Sequence, residues 1–561
     1  MIDRILECVP NFSEGRDPEV IRRIAEAMGS AEGAVVLHVD PGKATHRTVV
    51  TVAGAPEAVV ESAFRGIAEA ATLIDMRKHQ GEHPRMGATD VCPLVPIAGI
   101  TMEEAAELAR GLAERVGREL GIPTYLYEAA QPDPARRSLS VIREGEYEAL
   151  EQKLGSPRWK PDFGPVTLNA KSGATVIGAR DFLVAYNVNL NTTSTRRANA
   201  VAFDVREAGR PRREGDALTG KVMTDDAGAP LTLPGTLKAV KAIGWFIDEY
   251  GVAQVSMNLT DLNVTPVHTA FDEVERAAQD RGMRVTGSEL VGLVPLKALL
   301  DAGRHYLRKQ HRSLGVAERE LIHIAVRTLG LGELGPFVPE ERIIEYRLRD
   351  PATRRLVQMT LEGFVEETAS EAPAPGGGSV SAAVGAMGAA LAAMVANLSS
   401  HKRGWDDRWE GFSAWAERGQ AIQAELLRLV DADTRAFNGV LAAMQLPRDS
   451  DEQKASRRAA IDAATVEAIN VPWAVMQRAM EIFAVAEAMA DSGLPASVSD
   501  AGVAACCART AVRGAWLNVQ INAATLKDKT LVAPVLAGGA KLVAEADGRE
   551  AALLAKVDAR M

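Results

Sequence analysis

Ser379 to Leu398, SVSAAVGAMGAALAAMVANL, runs twenty residues without a charge. That is long enough to span a bilayer. It is mostly Ala and Gly, however, with few Leu, Ile or Phe to drive insertion, and such small residues allow close helix–helix approach. The stretch is therefore read as a buried helix of a bundle and not as a membrane span. Its neighbours agree: Leu361 to Glu371, Phe412 to Met444, Ala455 to Ala490 and Asp500 to Ala524 are Ala-rich segments with helical periodicity, which suits an all-α bundle. Strand signals vanish after about Asp350. The boundary is placed at residues 348–356, where Arg349-Asp350-Pro351 breaks helix and strand alike.

Upstream the pattern alternates. Leu6 to Val9, Val35 to Val39 and Thr48 to Val52 have strand character. Asp17-Pro18 starts a helix with Asp as N-cap and Pro at the first position. Pro56 to Ile74 is helical, and Thr101-Met102-Glu103-Glu104 is a capping box opening a helix to about Leu120. A second α/β unit starts near Asp181, with strands at 182–188 and 254–259 and a helix over Pro266 to Arg281. Gly287 to Pro295 loosely echoes Gly87 to Pro96, a hint of related halves. Residues 210–233, rich in Gly, Pro and charge, read as a surface insertion. The expected organisation is an α/β sandwich subdomain over 1–180, a second over 181–348, a linker at 349–356 and a helical domain over 357–561.

Composition narrows the function. At 561 residues the chain exceeds one core. A net charge of -10 and 5% aromatics argue against a nucleic-acid surface. Small acidic substrates need only a local basic pocket. Four cysteines, Cys8, Cys92, Cys506 and Cys507, make no disulfide framework, and the start has no secretory signal. The expectation is a cytoplasmic protein with reduced thiols and no membrane partner.

Lys78-His-Gln-Gly-Glu-His-Pro-Arg-Met-Gly87 carries two imidazoles, a carboxylate and two fixed cations. Gly81 and Pro84 oppose a helix, so this is a charged loop between an apolar helix and the strand-like Val91 to Pro96. His79-Gln-Gly-Glu82-His83 also matches a zinc-peptidase pattern, but that pattern needs a helix, which Gly81 and Pro84 disfavour. A solvated turn is the plain alternative. His83, locked between Glu82 and Pro84-Arg85, is the better proton-transfer group; His79 lies beyond flexible Gly81.

In the helical half, Ala374-Pro375-Gly376-Gly377-Gly378-Ser379 is a glycine-rich turn opening a helix, suited to an anion but no P-loop. Asp433 falls on the apolar stripe of Leu426, Val430, Phe437, Leu441 and Met444, where a carboxylate tends to a raised pKa and acid–base work. A core Asp satisfied by neighbouring N–H groups is the alternative. Asp431, about 200° around the helix, is expected to pair with Arg435. Ser499-Asp500 looks like a helix cap. Asn518 and Asn522, four apart on one helix, could bond a ligand or another helix.

Together these residues resemble the formiminotransferase-cyclodeaminase family. Glu7 to Gly15 resembles its opening motif, and Lys78 to Gly87 with Asp90-Val91-Cys92-Pro93 its catalytic loop. Trp159 to Gly173 is similar to its folate-binding segment. Gly287 to Leu300 and Glu341 to Tyr346 continue the likeness, as do Ala374 to Val380 and Val430 to Phe437 for the cyclodeaminase part. Where the family usually has Gly-Asn before Ser-Asp, this chain has Gly493-Leu494, which removes one expected polar contact.

The resemblance implies two ferredoxin-like α/β subdomains followed by a helix bundle. It implies transfer of a formimino group from N-formimino-L-glutamate to N5 of tetrahydrofolate, polyglutamylated forms included, as in histidine degradation. Cyclodeamination to 5,10-methenyltetrahydrofolate and ammonia follows. It gives the acid–base roles to His83 and Asp433. Folate would meet Gly164, Pro165, Val166, Thr167, Leu168, Asn169, Ala170, Lys171, Ser172 and Gly173, and the donor Asp40, Arg47, Lys78 and Arg85. The second site would hold Gly376, Gly377, Gly378, Ser379, Ser499, Asp500, Asn518 and Asn522. Tetrahydrofolate is a co-substrate, no metal is expected, and the chain is expected to form a homo-oligomer. A metal-dependent amidohydrolase using His79, Glu82 and His83, and a non-catalytic folate carrier, stand as the rival readings.

Overall fold

The structure, a computed structural model, describes residues 4–43, 45–81, 84–215, 220–226, 228–349 and 355–561. Glu82, His83, Asp350 and Pro351 therefore lie outside the described residues. The chain divides into two compact units, Met1–Asp301 with Val326–Arg349, and Ala302–Ala325 with Asp350–Met561.

The first unit begins with β1 (Ile5–Cys8), β2 (Asn11–Phe12), α1 (Pro18–Gly29), β3 (Ala34–Gly42), β4 (Arg47–Gly54), α2 (Pro56–Leu73) and β5 (Thr89–Ala98). β1 and β2 lie end to end between β4 and β5, and β3 flanks β4, all antiparallel. This is the β-α-β-β-α-β order of a ferredoxin-like sandwich. α3 (Met102–Leu120), β6 (Thr124–Glu128), α4 (Leu139–Ile142), α5 (Leu150–Leu154) and β7 (Thr175–Ala179) extend it, with β7 and β6 parallel beyond β5. Local signals set these elements. Asp17 accepts from the amides of Glu19 and Val20, and Thr101 and Glu104 form the reciprocal box. α1, α2 and α3 cover one sheet face, where Ile24, Met28, Ile67 and Val116 pack on Leu6, Val52 and Leu94.

The same order recurs in β8 (Val184–Leu190), α6 (Thr195–Val205), β11 (Val240–Ile247), β12 (Val252–Leu259), α7 (Val267–Gln279) and β13 (Val285–Val291), with sheet order β11-β12-β8-β13. β5 and β13 are the closing strands of the two repeats, so the sequence echo between Gly87–Pro96 and Gly287–Pro295 has a topological basis. The insertion holds the two-stranded ribbon β9 (Arg210–Pro211) and β10 (Thr232–Leu233); residues 216–219 and 227 are outside the described set. α8 (Leu296–Lys309), α9 (Glu318–Thr328), α10 (Pro339–Arg342) and α11 (Ile344–Arg347) follow.

The second unit contains α12 (Leu361–Thr368), α13 (Gly377–Ser400), α14 (Trp409–Met444), α15 (Asp451–Ser492), α16 (Val498–Thr525) and α17 (Ala533–Asp558). α13 is the helix among the described residues long and apolar enough to cross a membrane. Its Ala382, Ala386, Ala389 and Ala396 are buried in the bundle. Small residues set the spacing as expected: a Cβ on Gly388 would stand 2.7 Å from Cys507 Cβ, and one on Gly419 2.8 Å from Ala393 Cβ. The series Gly378–Asp433, Gly385–Leu426 and Ala393–Gly419 makes α13 antiparallel to α14, and the series Ser381–Gly514, Gly385–Ala511 and Gly388–Cys507 does the same for α16. Residues 302–325 belong here too. Leu314 N–H donates to Ser413 Oγ at 2.9 Å, and Asn397 Nδ2 to Gly315 O at 2.8 Å.

Two local expectations change. Ser497 holds the N-cap position of α16, so Ser499 and Asp500 lie in its first turn and cap nothing. Asp431 is buried, and its two oxygens accept the amides of Leu356 (2.8 Å) and Val357 (3.3 Å). The expected helix-surface pair with Arg435 overlooked this tie because the partners are backbone groups far away in sequence.

Candidate functional site

The charged loop follows a single 3-10 turn, Met76–Lys78, and has no helical residue at 79–81 or 84–85. Its first histidine is committed internally. His79 is buried, stacks on His46 at 4.3 Å and 16°, and pairs Nε2 with His46 O at 2.9 Å. Arg85 Nε donates to His79 Nδ1 at 3.2 Å, so the ring is neutral with its hydrogen on Nε2. Burial depresses its pKa, consistent with that state. His46 in turn places Nδ1 2.8 Å from Gln80 O and Nε2 3.2 Å from Glu14 Oε1. Burial opposes the ionised form of Glu14, but the amides of Asp17, Arg16 and Gly15 and the His46 ring outweigh it and lower its pKa. Gly81 closes against this cluster, for a Cβ there would be 2.5 Å from Thr45 O.

The far end of the loop is fixed by backbone. Ser13 Oγ donates to Gly87 O at 2.7 Å, and the Met86 amide to the buried Asp90 Oδ1 at 2.9 Å. Asp90 Oδ2 takes Arg143 NH2 at 2.6 Å. Ala88 N–H donates to Ser172 O at 2.8 Å, Ala174 N–H to Met86 O at 3.1 Å, and Met76 N–H to Lys171 O at 2.9 Å. Both ends of the loop are thus tied to Lys171–Ala174, the C-terminal end of the 164–173 segment and the residue after it. Gly87 and Gly173 face each other, a Cβ on either would overlap the other strand's backbone, and Gly173 has φ +68°.

Within that segment Gly164, Val166, Thr167, Ala170 and Lys171 are exposed, Pro165, Leu168 and Asn169 half-buried, and Ser172 and Gly173 buried. Lys171 Nζ donates to Thr72 O at 2.6 Å. Among the expected donor-binding groups, Lys78 and Asp40 are exposed and Arg47 is half-buried on β4. Burial lowers the Arg47 pKa while Asp90 and Asp40 oppose that and Arg143 adds to it, which places these four charges together. Arg85, the fourth expected donor-binding group, is already paired within the chain. NH1 and NH2 grip Glu148 at 2.8 and 2.7 Å, NH1 also meets Glu146 at 3.1 Å, and NH2 reaches His79 O at 3.3 Å.

In the bundle, the α13 N-terminus meets the middle of α14. Ser379 Oγ lies 2.9 Å from Val430 O, 3.1 Å from Asp433 Oδ2 and 3.2 Å from Thr434 Oγ1. Asp433 is mostly buried, and burial raises its pKa against the lowering effect of Ser379. A Cβ on Gly378 would overlap its carboxylate, and one on Gly377 would stand 2.9 Å from Asn518 Nδ2. Gly376 is the N-cap with no side chain to cap the helix. Asn518 Nδ2 donates to Gly514 O and Asn522 Nδ2 to Ala468 O, at 2.9 and 2.8 Å. Gly376 to Ser379, Asp433 and Asn518 therefore gather at one place. Ser499 and Asp500 do not join them: Asp500 is eighteen residues from Asn518 on α16, about 27 Å along a continuous helix.

Sequence reasoning missed Glu14, His46, Arg143, Glu146, Tyr147, Glu148 and Thr434. Glu14 and Thr434 lie within the quoted stretches Glu7 to Gly15 and Val430 to Phe437 but were given no role there, and His46 adjoins Arg47; the other four sit in no quoted motif.

Three family descriptions match the chain in order: "Formiminotransferase domain, N-terminal subdomain" over residues 5–180, "Formiminotransferase domain" over 185–349 and "Formiminotransferase-cyclodeaminase" over 360–538. A formimidoyltransferase-cyclodeaminase from Sus scrofa is 43% identical over 560 residues, covering 100% of both chains. A glutamate formimidoyltransferase from Thermoplasma acidophilum is 41% identical over 306 residues, 54% of this chain and 92% of its own. A methenyltetrahydrofolate cyclohydrolase from Methylorubrum extorquens is 38% identical over 187 residues, 33% of this chain and 90% of its own.

Proposed function

The chain belongs to the formimidoyltransferase-cyclodeaminase family, and from that premise we propose that it carries out two consecutive folate reactions. The first moves the formimino group of N-formimino-L-glutamate to N5 of tetrahydrofolate and releases glutamate. The second closes N10 onto the formimino carbon, expels ammonia and leaves 5,10-methenyltetrahydrofolate. Both serve histidine degradation, in the cytoplasm. The observation that carries the reading is that both ends of the 78–87 loop are tied to Lys171–Ala174, at the end of the stretch assigned to folate. Residues 1–180 and 181–348 are assigned to the transferase and 357–561 to the cyclodeaminase.

Each step passes through a tetrahedral carbon bearing nitrogens, so a proton leaves the incoming amine and another reaches the departing one. His83 is assigned that work in the transferase. His79 supports it as a fixed post: with Nε2–H on a carbonyl and Nδ1 on Arg85, it offers no lone pair to a metal. That commitment favours metal-free chemistry. Arg47 and Lys78 are assigned to the donor's carboxylates.

Asp433 is assigned the second proton transfer. Ser379 has one hydrogen and both Val430 O and Asp433 Oδ2 within reach. With Asp433 protonated, the acid donates to Ser379 Oγ and the hydroxyl turns to Val430 O; with Asp433 ionised, the hydroxyl turns back. The open α13 N-terminus at Gly376 and Gly377 suits a folate carboxylate.

A homo-oligomer is part of the proposal. Met387, Met394 and Leu398 on α13 and Val503, Leu517 and Ile521 on α16 are exposed. Ser499 and Asp500 reach an Asp433 site only from a second copy, given their distance in one chain.

One assay tests the whole. Mixed with formiminoglutamate and tetrahydrofolate, the protein should generate methenyltetrahydrofolate absorbance with matching ammonia. No absorbance and no glutamate release would end the proposal.

A further inference from the structure

Of the groups the mechanism leaves unused, the segment Arg143 to Glu148 is the most heavily engaged. Arg143 holds Asp90. Tyr147 N–H donates to Arg85 O at 2.9 Å, and its hydroxyl to Ala170 O at 2.5 Å. Glu146 and Glu148 occupy the outer edge of the Arg85 guanidinium. The segment thus straps the loop that carries His83 to the 164–173 stretch. It also walls an open cleft of about 400 Å³ lined by Gln80, Gly81, Arg85, Gly145, Glu146 and Glu148.

The guanidinium has two unlike edges. Nε and one NH2 hydrogen are held from inside by His79 Nδ1 and His79 O. The remaining hydrogens meet carboxylates that face solvent: the Glu148 and Glu146 side chains are 63% and 40% exposed, against 9% for Arg85. So Arg85 is fixed in position, while its carboxylate partners are not. A fork in this state is a ready-made site for a bidentate carboxylate. Releasing Glu148 would be costly if the buried fork were left unpaired, but an incoming carboxylate keeps it paired while the exposed Glu148 returns to water. The strap is also strained where it would have to give, with Glu146, a residue with a Cβ, at φ +55° next to Gly145.

We propose that Glu148, with Glu146, is an internal stand-in for the donor's carboxylate: formiminoglutamate displaces it from Arg85, and the strap yields as the cleft fills. Glu146 and Glu148 thereby become determinants of donor affinity. The exchange breaks no covalent bond; one carboxylate replaces another on the same fork. This inference rests on the formiminoglutamate reading of the first site.

The full chain and its Glu148→Gln, Arg85→Lys and doubly substituted forms decide it. Glu148→Gln should lower the KM for formiminoglutamate, and the inhibition constant of glutamate, about two- to fivefold. The KM for tetrahydrofolate should stay where it is. In the Arg85→Lys background the same change should do nothing. Saturating glutamate should speed hydrogen exchange at the Tyr147 amide in the unaltered chain. An unchanged or raised KM for formiminoglutamate with a lower Tm would make the strap merely structural and overturn the proposal. So would a Tyr147 amide that glutamate leaves alone or protects. If the unaltered chain transfers no formimino group, the functional reading fails, while the exchange measurement with glutamate still decides the strap.

Discussion

At the scale of single residues, the proposal separates two histidines four positions apart, giving the proton transfer to His83 and a fixed structural place to His79. His79 has both ring nitrogens occupied and a stacked partner, so it can neither give nor take a proton without breaking its own supports. His83→Ala should therefore lose about 10²–10⁴-fold in transferase rate. His79→Ala should act on donor KM through the loosened Arg85, with less than about a tenfold loss in kcat. Equal kcat losses in the two variants would return His79 to the chemistry. Glu7 makes a second test. Burial, opposed by Arg180 and aided by Glu345, pushes its carboxyl from 4.5 up to about 8. A raised carboxyl pKa means that the folded state holds the proton more tightly. Its stabilisation is therefore complete below about pH 4.5 and is lost as pH rises through about 8. Between those limits the slope is about 1.4 kcal/mol per pH unit. Glu7→Gln should remove that slope, so urea unfolding of variant and parent should agree near pH 4.5 and separate as pH rises toward 8, the variant becoming the more stable of the two. Parallel curves would place the Glu7 proton elsewhere. Sequence alone marked Glu7 only as part of a motif, because its burial depends on sheet pairing with Ala53 and Val95.

At the scale of elements, the legible part was local. The Asp17 cap, the Thr101 box, the strand character of Thr48 to Val52 and Val91 to Pro96 and the small residues of α13 act within a few positions, and each appeared where expected. The missed parts needed the tertiary fold: the 143–148 strap lies some sixty residues from the loop it clamps, and β11 alternates in burial but puts apolar Ile243 and Trp245 on its exposed face, so its sequence shows no polar–apolar alternation. The same limit applies to glycines. The sequence marked 376–378 as one anion-binding turn, yet only the structure separates them. Gly376 has open space, Gly377 faces Asn518, and Gly378 abuts the Asp433 carboxylate. Gly378→Ala should therefore push that carboxylate off Ser379 and cost at least about tenfold in cyclodeaminase rate, with the transferase intact. Gly376→Ala should be mild. The reverse ranking, read in ammonia release from supplied 5-formiminotetrahydrofolate, would move the acid away from α14.

At the scale of the whole molecule, the change in composition near Asp350 suggests a clean cut between an α/β half and a helical half. Backbone packing divides the chain less simply, because residues 302–325 belong with the helices that follow. Nothing in their composition says so: α8 and α9 are amphipathic helices like any that could cover a sheet. Their place rests on particular contacts. The Leu314 amide bonds Ser413 Oγ, Gly315 O takes Asn397 Nδ2, and Gly315 has no room for a Cβ against Ala416. A fragment beginning at 357 would leave Ser413 and Asn397 of α14 and α13 without those partners and expose the surface around Ala416. Residues 1–349 expressed alone should transfer the formimino group. Residues 357–561 alone should retain the helices by circular dichroism but melt several degrees below the same helices in the full chain, and deaminate more slowly. Linking 302–325 back to that fragment should restore the melting temperature. If 357–561 is as stable and as active as the full chain, the 302–325 segment contributes no stability and the cut near 350 is the true one.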